Sequence, residues 1–266
     1  SRIHRNYLRN PSTHTESCVA TRVKNIVALS ALVIATAVSQ SFGRFTYSVL
    51  YIEIRDDFGL SNTAAGGIGS LNLVGYLIGS LLVAFTVGNF GLIKTAKYGL
   101  AGVVIGLLLL SWSPNSFITL LALFLTGLSA AGVWITTPAL ATNLLGPDRK
   151  GLAIGWVTTG VGLGFFAACV FDAVITDWRS VYGLETIIGF AALGMLVLTI
   201  TTSANPASGS GLSPTALKQI PGWLNLCVTY GFFAVAVSLA MTFSAALLEE
   251  DAGFKEGSAS LTFALI

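Results

Sequence analysis

The chain has 266 residues, of which 54% are hydrophobic and only 10% charged, with 14 Lys and Arg against 12 Asp and Glu. Mean hydropathy is +0.79. A water-soluble domain carries about a quarter charged residues. This surface therefore requires lipid as its solvent, and the net charge of +2 has no clustered basic face to receive a nucleic acid.

The chain opens on a polar tail, residues 1–25, with Arg2, Arg5, Arg9, Arg22 and Lys24 and both histidines, His4 and His14. A transmembrane helix needs about 20 apolar residues. Seven stretches meet that length: Ile26–Ile52, Thr63–Val87, Thr95–Trp112, Ser116–Leu145, Leu152–Ile175, Val181–Thr201 and Trp223–Leu248. An eighth begins near Ser258 and runs to Ile266, so the expectation is an N-terminal piece of about seven and a half helices. Arg22, Lys24 and Ala35-Thr36-Ala37 also fit a secretory signal with its cleavage site. Against that reading, apolar residues continue well past Ala37.

The turns are short and polar: Gly88-Asn89-Phe90-Gly91, Ser113-Pro114-Asn115 and Gly146-Pro147-Asp148-Arg149-Lys150-Gly151. Pro147 and Asp148 suit a helix start. The gap from Asn205 to Pro221 is the longest and is rich in Gly, Ser and Pro, as a linker would be. The organisation read from this is a tail at 1–25, a six-helix bundle at 26–202, a linker at 203–221 and the start of a second bundle at 222–266.

Orientation follows from the basic residues of short loops. The five of the tail, Lys94 and Lys97, Arg149 and Lys150, and Lys218 share one side; Arg55, Arg179 and Lys255 share the other. Ten against three places the N-terminus and the linker in the cytoplasm. Cys18, Cys169 and Cys227 show neither disulfide nor metal-ligand spacing. No phosphate loop, nucleophile motif or dinucleotide fingerprint sits in a suitable setting, so neither an enzyme nor a cofactor is implied.

A short repeat is present. Asp57-Phe58-Gly59-Leu60 follows the first span, and Asp251-Ala252-Gly253-Phe254 follows the seventh, 194 residues on and on the same membrane face. Parallel six-helix halves of that kind form one transporter architecture; chance likeness of helix-ending turns is the competing account.

The chain resembles major facilitator superfamily (MFS) transporters, most of all their bacterial YbfB/YjiJ-like branch. The resemblance rests on Phe42-Gly43-Arg44-Phe45-Thr46-Tyr47, Asn72-Leu73-Val74-Gly75-Tyr76-Leu77-Ile78-Gly79, Gly160-Val161-Gly162-Leu163-Gly164 and Asp177-Trp178-Arg179. It implies an all-α integral membrane protein of MFS fold, twelve helices in the whole protein, alternating access and a central cavity. The loop Gly88 to Lys94 departs from the family pattern: it keeps Phe-Gly and one lysine but lacks the acidic gate partner. Leu123-Phe124-Leu125 stands where many relatives carry a helix-four arginine.

Arg44 is the sharpest candidate residue. A central arginine costs about 2.5–3.5 kcal/mol on insertion scales. It lies about 18 residues into its span and hence in the outer half of the bilayer. A guanidinium there binds an anionic substrate group bidentately. The structural alternative is an ion pair, with Glu185 at similar depth or Asp172 nearer the outer surface, or snorkelling outward. Gln40 and Tyr47, four before and three after, share its helical face. Asn72 and Tyr76 repeat the spacing in span two. Trp134 and Thr137 stand beside Pro138, a kink position suited to gating, and Tyr230 is a further candidate. The glycine pairs Gly75/Gly79, Gly102/Gly106, Gly151/Gly155 and Gly160/Gly164 have the spacing of close helix packing, and Gly43 joins them.

The functional expectation is a secondary transporter of the bacterial inner (plasma) membrane, monomeric when full length. Its partners are the lipid bilayer, a small organic solute with an anionic group, and a proton. A sensor or scaffold on a transporter fold, without flux, is the alternative of another class.

Overall fold

The structure is a computed structural model that describes residues 11–201, 221–248 and 262. The first helix, α1, runs Pro11–Thr36 and passes without a break into a π-helical segment, Ala37–Phe45, then into α2, Thr46–Val49, and α3, Tyr51–Asp57. There follow α4 (Asn62–Phe90), α5 (Leu92–Ser111), α6 (Ser116–Leu145), α7 (Lys150–Val174), α8 (Trp178–Thr199) and α9 (Trp223–Ala246).

Six of these segments are long and apolar enough to cross a membrane: 23–49, 62–90, 92–111, 116–145, 147–174 and 178–199. The chain is thus a multi-pass membrane protein of α-helices. The 24 residues of α9 correspond to the expected seventh span. The linker, the second copy of the repeat, Lys218, Lys255 and nearly all of the expected eighth span lie outside the described residues.

Local chemistry sets the helix ends. The side chains of Ser61, Asn115 and Asp177 accept the backbone N–H of Ala64, Ile118 and Ser180 at the starts of α4, α6 and α8. Gly91 and Gly146 stop α4 and α6 at φ 78° and 88°, values open to glycine. The first helix begins earlier than the expected Ile26. Pro11 suits a first helical position, and neither proline nor glycine follows it until Gly43. Apolar length marks only the part that meets lipid, so the polar turns before it escape a hydropathy reading.

The first span is embedded in the bundle. Ala31, Leu32, Ala35, Thr36 and Val38 are completely buried, and the helix continues through Ala35-Thr36-Ala37. A signal peptide awaiting cleavage has no such core. Around it pack Leu100 and Leu107 of α5, Leu123 of α6, and Tyr182 and Leu196 of α8.

Glycines decide how closely the helices approach. A Cβ on Gly75 or Gly79 of α4 would strike the backbone carbonyl of Phe124 or Leu128 in α6; one on Gly127 of α6 would strike that of Asn72 in α4. Gly160 faces the Val33 carbonyl and Gly164 the Ser41 side chain, which brings α7 onto the first helix. Gly102 and Gly106 fit against Ser129 and Thr126 of α6, and Gly43 faces Val103 of α5 at 3.1 Å. Gly151 and Gly155 do otherwise: nothing lies within 4 Å of a Cβ placed there, so the packing expected of that pair is absent among the described residues. Spacing alone does not say whether a partner helix covers the face. Outside the bundle, α4 presents Leu73, Val74, Leu77, Leu81 and Phe85, an apolar surface that only lipid or another helix can cover.

Candidate functional site

The first span departs from α-helical geometry where its polar residues cluster. In the π-helical segment the N–H of Thr46 bonds the carbonyl of Ser41, five residues back. Such segments are rare and are frequently placed at functional sites. Val38, Ser39, Gln40, Ser41, Phe42 and Gly43 are all buried within it. Ser41 donates its hydroxyl to the Val161 carbonyl of α7 at 2.7 Å, which fastens the segment to its neighbour.

Arg44 is half-buried in this segment. Its Nη1 donates to Gln40 Oε1 at 3.0 Å. The Gln40 amide nitrogen in turn donates to the Ala130 carbonyl of α6 at 3.2 Å. The guanidinium carbon lies 4.0 Å from the ring centroid of Tyr76 in α4 and 5.5 Å from that of Phe45. Nε is buried without a hydrogen-bond partner. Neither Glu185 nor Asp172 forms an ion pair with Arg44, and no other carboxylate among the described residues does. A cation held by one amide and two rings keeps donors in reserve.

Glu185 lies elsewhere in the same layer. It is completely buried on α8. Its Oε1 accepts the Thr46 hydroxyl at 2.6 Å, and its Oε2 is buried without a partner. The nearby Tyr182 hydroxyl and Trp178 Nε1 are likewise buried and unpartnered. Asp172 is 7% exposed on α7.

The remaining candidates divide. Asn72 is a clasp: its amide nitrogen reaches the carbonyls of Gly43 and Leu123 at 2.9 Å and the Thr126 hydroxyl at 3.0 Å, which joins the first span, α4 and α6. Tyr47 donates to the Ala65 carbonyl at 2.8 Å and stands edge-on to Tyr51, so its hydroxyl is spent on the start of α4. Thr137 accepts the Thr36 hydroxyl at 3.3 Å. Pro138 lies inside α6, where the carbonyl of Pro138 accepts the Thr142 hydroxyl. Trp134 is half-buried. Tyr230 is 66% exposed on α9 and packs on Phe233. The structure gathers Gln40, Arg44 and Tyr76 into one group, with Tyr230 of α9 in electrostatic reach of Tyr76, and engages Thr137 with Thr36 instead.

Sequence reasoning passed over Thr46 as a partner of Glu185, although a hydroxyl two residues beyond Arg44 at the depth of Glu185 is a legible signal. It also passed over a knot at the other end of α8. Arg179 pairs with Asp57 at 2.9 Å, donates Nε to the Ser113 carbonyl at 2.9 Å, and stacks over Trp178 at 4.1 Å and Phe58 at 5.5 Å. Asp177 caps the helix beside it. Burial pushes the Asp177 carboxyl upward, but the Ser180 hydroxyl, the backbone N–H groups of Ser180 and Arg179, and the Arg179 charge outweigh that and hold it below its ordinary value.

Glycine-packed, membrane-crossing helices thus surround a first span whose geometry turns π-helical where Arg44 stands. The chain belongs to the Major Facilitator Superfamily, whose model matches residues 33–266. It is 29% identical to monocarboxylate transporter 9 of Pongo abelii over 56% of this chain and 29% of that protein. It is 29% identical to the uncharacterized transporter YgaY of Escherichia coli O157:H7 over 51% of this chain and 35% of that one. Protein spinster of Drosophila melanogaster is 22% identical over 66% of this chain and 30% of its own length. The chain thus spans about a third of each of these relatives. Among solved structures, an inward-facing, unoccupied bacterial homolog of the human lysosomal transporter Spinster superposes with a TM-score of 0.70 at 17% identity, covering 90% of this chain and 58% of that one. That likeness shows the fold.

Proposed function

We propose that the protein is a secondary transporter that carries a small organic anion by alternating access, driven by a proton gradient. The observation that carries this reading is Arg44: a guanidinium inside a membrane span with no carboxylate partner among the described residues and an idle Nε. Leaving it unpaired costs about 2.5–3.5 kcal/mol, a cost that a bound carboxylate offsets through charge-assisted, bidentate hydrogen bonds. Gln40 and Tyr76 hold the guanidinium in one orientation from two sides. The name of the first relative, a monocarboxylate transporter, supports a single-carboxylate solute. The working location is the bacterial inner membrane, with the N-terminus cytoplasmic, as the distribution of Lys and Arg implies; the full-length protein acts as a monomer.

The test is uptake and efflux of radiolabelled lactate, then of a panel of other small carboxylates, in cells that express the full-length protein. Wild type should show saturable flux that Arg44→Gln lowers at least about tenfold, since each lost charge-assisted bond is worth about 1.5–3 kcal/mol. Carboxylate flux unchanged in Arg44→Gln would overturn the reading. Saturable binding without flux would make the protein a sensor.

A further inference from the structure

We infer that Glu185 is the seat of the coupling proton and that Thr46 relays its protonation state to the π-helical segment that bears Arg44. The use made of the proton rests on the transport reading above; the chemistry of the site needs no solute. Glu185 is completely buried, one of its oxygens meets a single hydroxyl, and the other meets nothing. No cation pairs with it among the described residues. A buried carboxyl with one hydrogen-bond partner has room for a proton and little to hold a charge.

The relay follows from counting hydrogens. A hydroxyl owns one. Thr46 Oγ1 has two acceptors in reach, Glu185 Oε1 at 2.6 Å and the Ser41 carbonyl at 3.5 Å. That carbonyl also takes the Thr46 N–H, the bond that closes the π-turn. With Glu185 ionised, the Thr46 hydrogen goes to the carboxylate. A proton arriving from water on Oε1 reverses the bond: the acid O–H donates to Thr46 Oγ1, and the Thr46 hydrogen turns to the Ser41 carbonyl. Loss of the same proton to water on the other side restores the first arrangement. Protonation thus adds a second donor to the carbonyl that shapes the turn around Arg44, and the anion site and the proton site are coupled without touching.

The ionisable neighbours are few. Tyr182 adjoins Glu185 on α8, and Tyr47 of α2 and Glu53 of α3 lie near Tyr182; the buried ionisable groups of α7 are Cys169 and Asp172, which neighbour each other. The π-helical segment contributes Arg44, which is turned to Tyr76. The ionisable side chains of α1 and α5 nearest to the bundle, Lys24, Lys94, Lys97 and Tyr98, lie toward the opposite membrane face; there Lys97 reaches the Val197 carbonyl near the end of α8.

The experiment combines infrared difference spectroscopy with amide hydrogen exchange across pH, on the full-length protein in liposomes without solute. Wild type should show a carboxylic-acid C=O band that titrates. The band should vanish in Glu185→Gln, persist in Asp172→Asn, move to higher frequency in Thr46→Val and return in Thr46→Ser. Exchange of the amides of residues 37–46 should change about fivefold across the titration, the worth of one hydrogen bond, and stay flat in Glu185→Gln and Thr46→Val. A titrating band that survives Glu185→Gln, or exchange in 37–46 that still follows pH in that variant, would overturn the proposal. If Glu185→Gln does not fold, Thr46→Val decides: an unmoved band overturns it. Titration as described together with no solute flux sinks the transport reading and leaves the proton site standing; flux without titration does the reverse.

Discussion

Arg179 and Arg44 carry the same group into different company. Arg179 stands at the helix ends, about a third exposed, with a carboxylate, a backbone carbonyl and two aromatic rings around it. It ties the ends of α3, α5 and α8 into one knot. Arg44 stands within a span, with one amide, two rings and an idle Nε. The fully engaged cation lies where water would have made its solitude cheap, and the under-engaged one lies where solitude is costly. A fold that needed Arg44 only for cohesion would have supplied a carboxylate; Glu185 is in the same bundle and bonds Thr46 instead.

Replacement of the two arginines tests this contrast most directly. Arg44→Gln should lower carboxylate flux about ten- to a hundredfold and leave the thermal unfolding midpoint in detergent equal or higher, because an uncompensated charge is removed. A fall in that midpoint would make Arg44 a structural residue and break the contrast. Arg179→Ala should do the opposite. It should lower stability by about 1–3 kcal/mol through the lost pair and the orphaned Ser113 carbonyl, with KM unchanged per folded molecule. The swap Asp57→Arg with Arg179→Asp should recover part of that stability.

Tyr76→Leu sharpens the comparison at smaller magnitude. Loss of the ring face under a cation is worth about 0.5–2 kcal/mol and should raise KM for a carboxylate about two- to thirtyfold, whereas Tyr76→Phe should behave as wild type. The smallest effect belongs to the cap beside Arg179. Asp177→Ala should cost about 1 kcal/mol. Because the carboxyl is held below its ordinary value, its contribution is complete above the usual carboxylate range of about 4 and is lost as pH falls through the lower native value. Unfolding midpoints of wild type and Asp177→Asn should therefore converge in acid.

Much of the helical framework was legible because it is local. Ser116–Leu145 was read from apolar length and from the polar turn Ser113-Pro114-Asn115 before it, and its bounds in the structure are the same. Thr63–Val87 became Asn62–Phe90, with the difference at its polar ends. Spacing also put Gln40 beside Arg44, since residues four apart share a face. Spacing misled for Gly151 and Gly155, because a stripe of small residues says nothing about whether a helix covers it. The bond between Thr46 and Glu185 spans 139 residues, and the Asn72 clasp joins three segments. No pattern within a single helix encodes either one.

By itself the sequence determined that this protein crosses a membrane with helices, where its six long apolar spans lie, and that a cation stands within the first of them. Those properties depend on composition and on short-range order, which a linear chain carries explicitly. Only the tertiary structure decided that Arg44 faces Tyr76 rather than Glu185, that Glu185 meets Thr46, and that the segment bearing Arg44 adopts a π-helical turn. Which polar groups meet depends on the rotation of each helix about its axis, and that rotation is set by glycine-to-backbone contacts between distant helices.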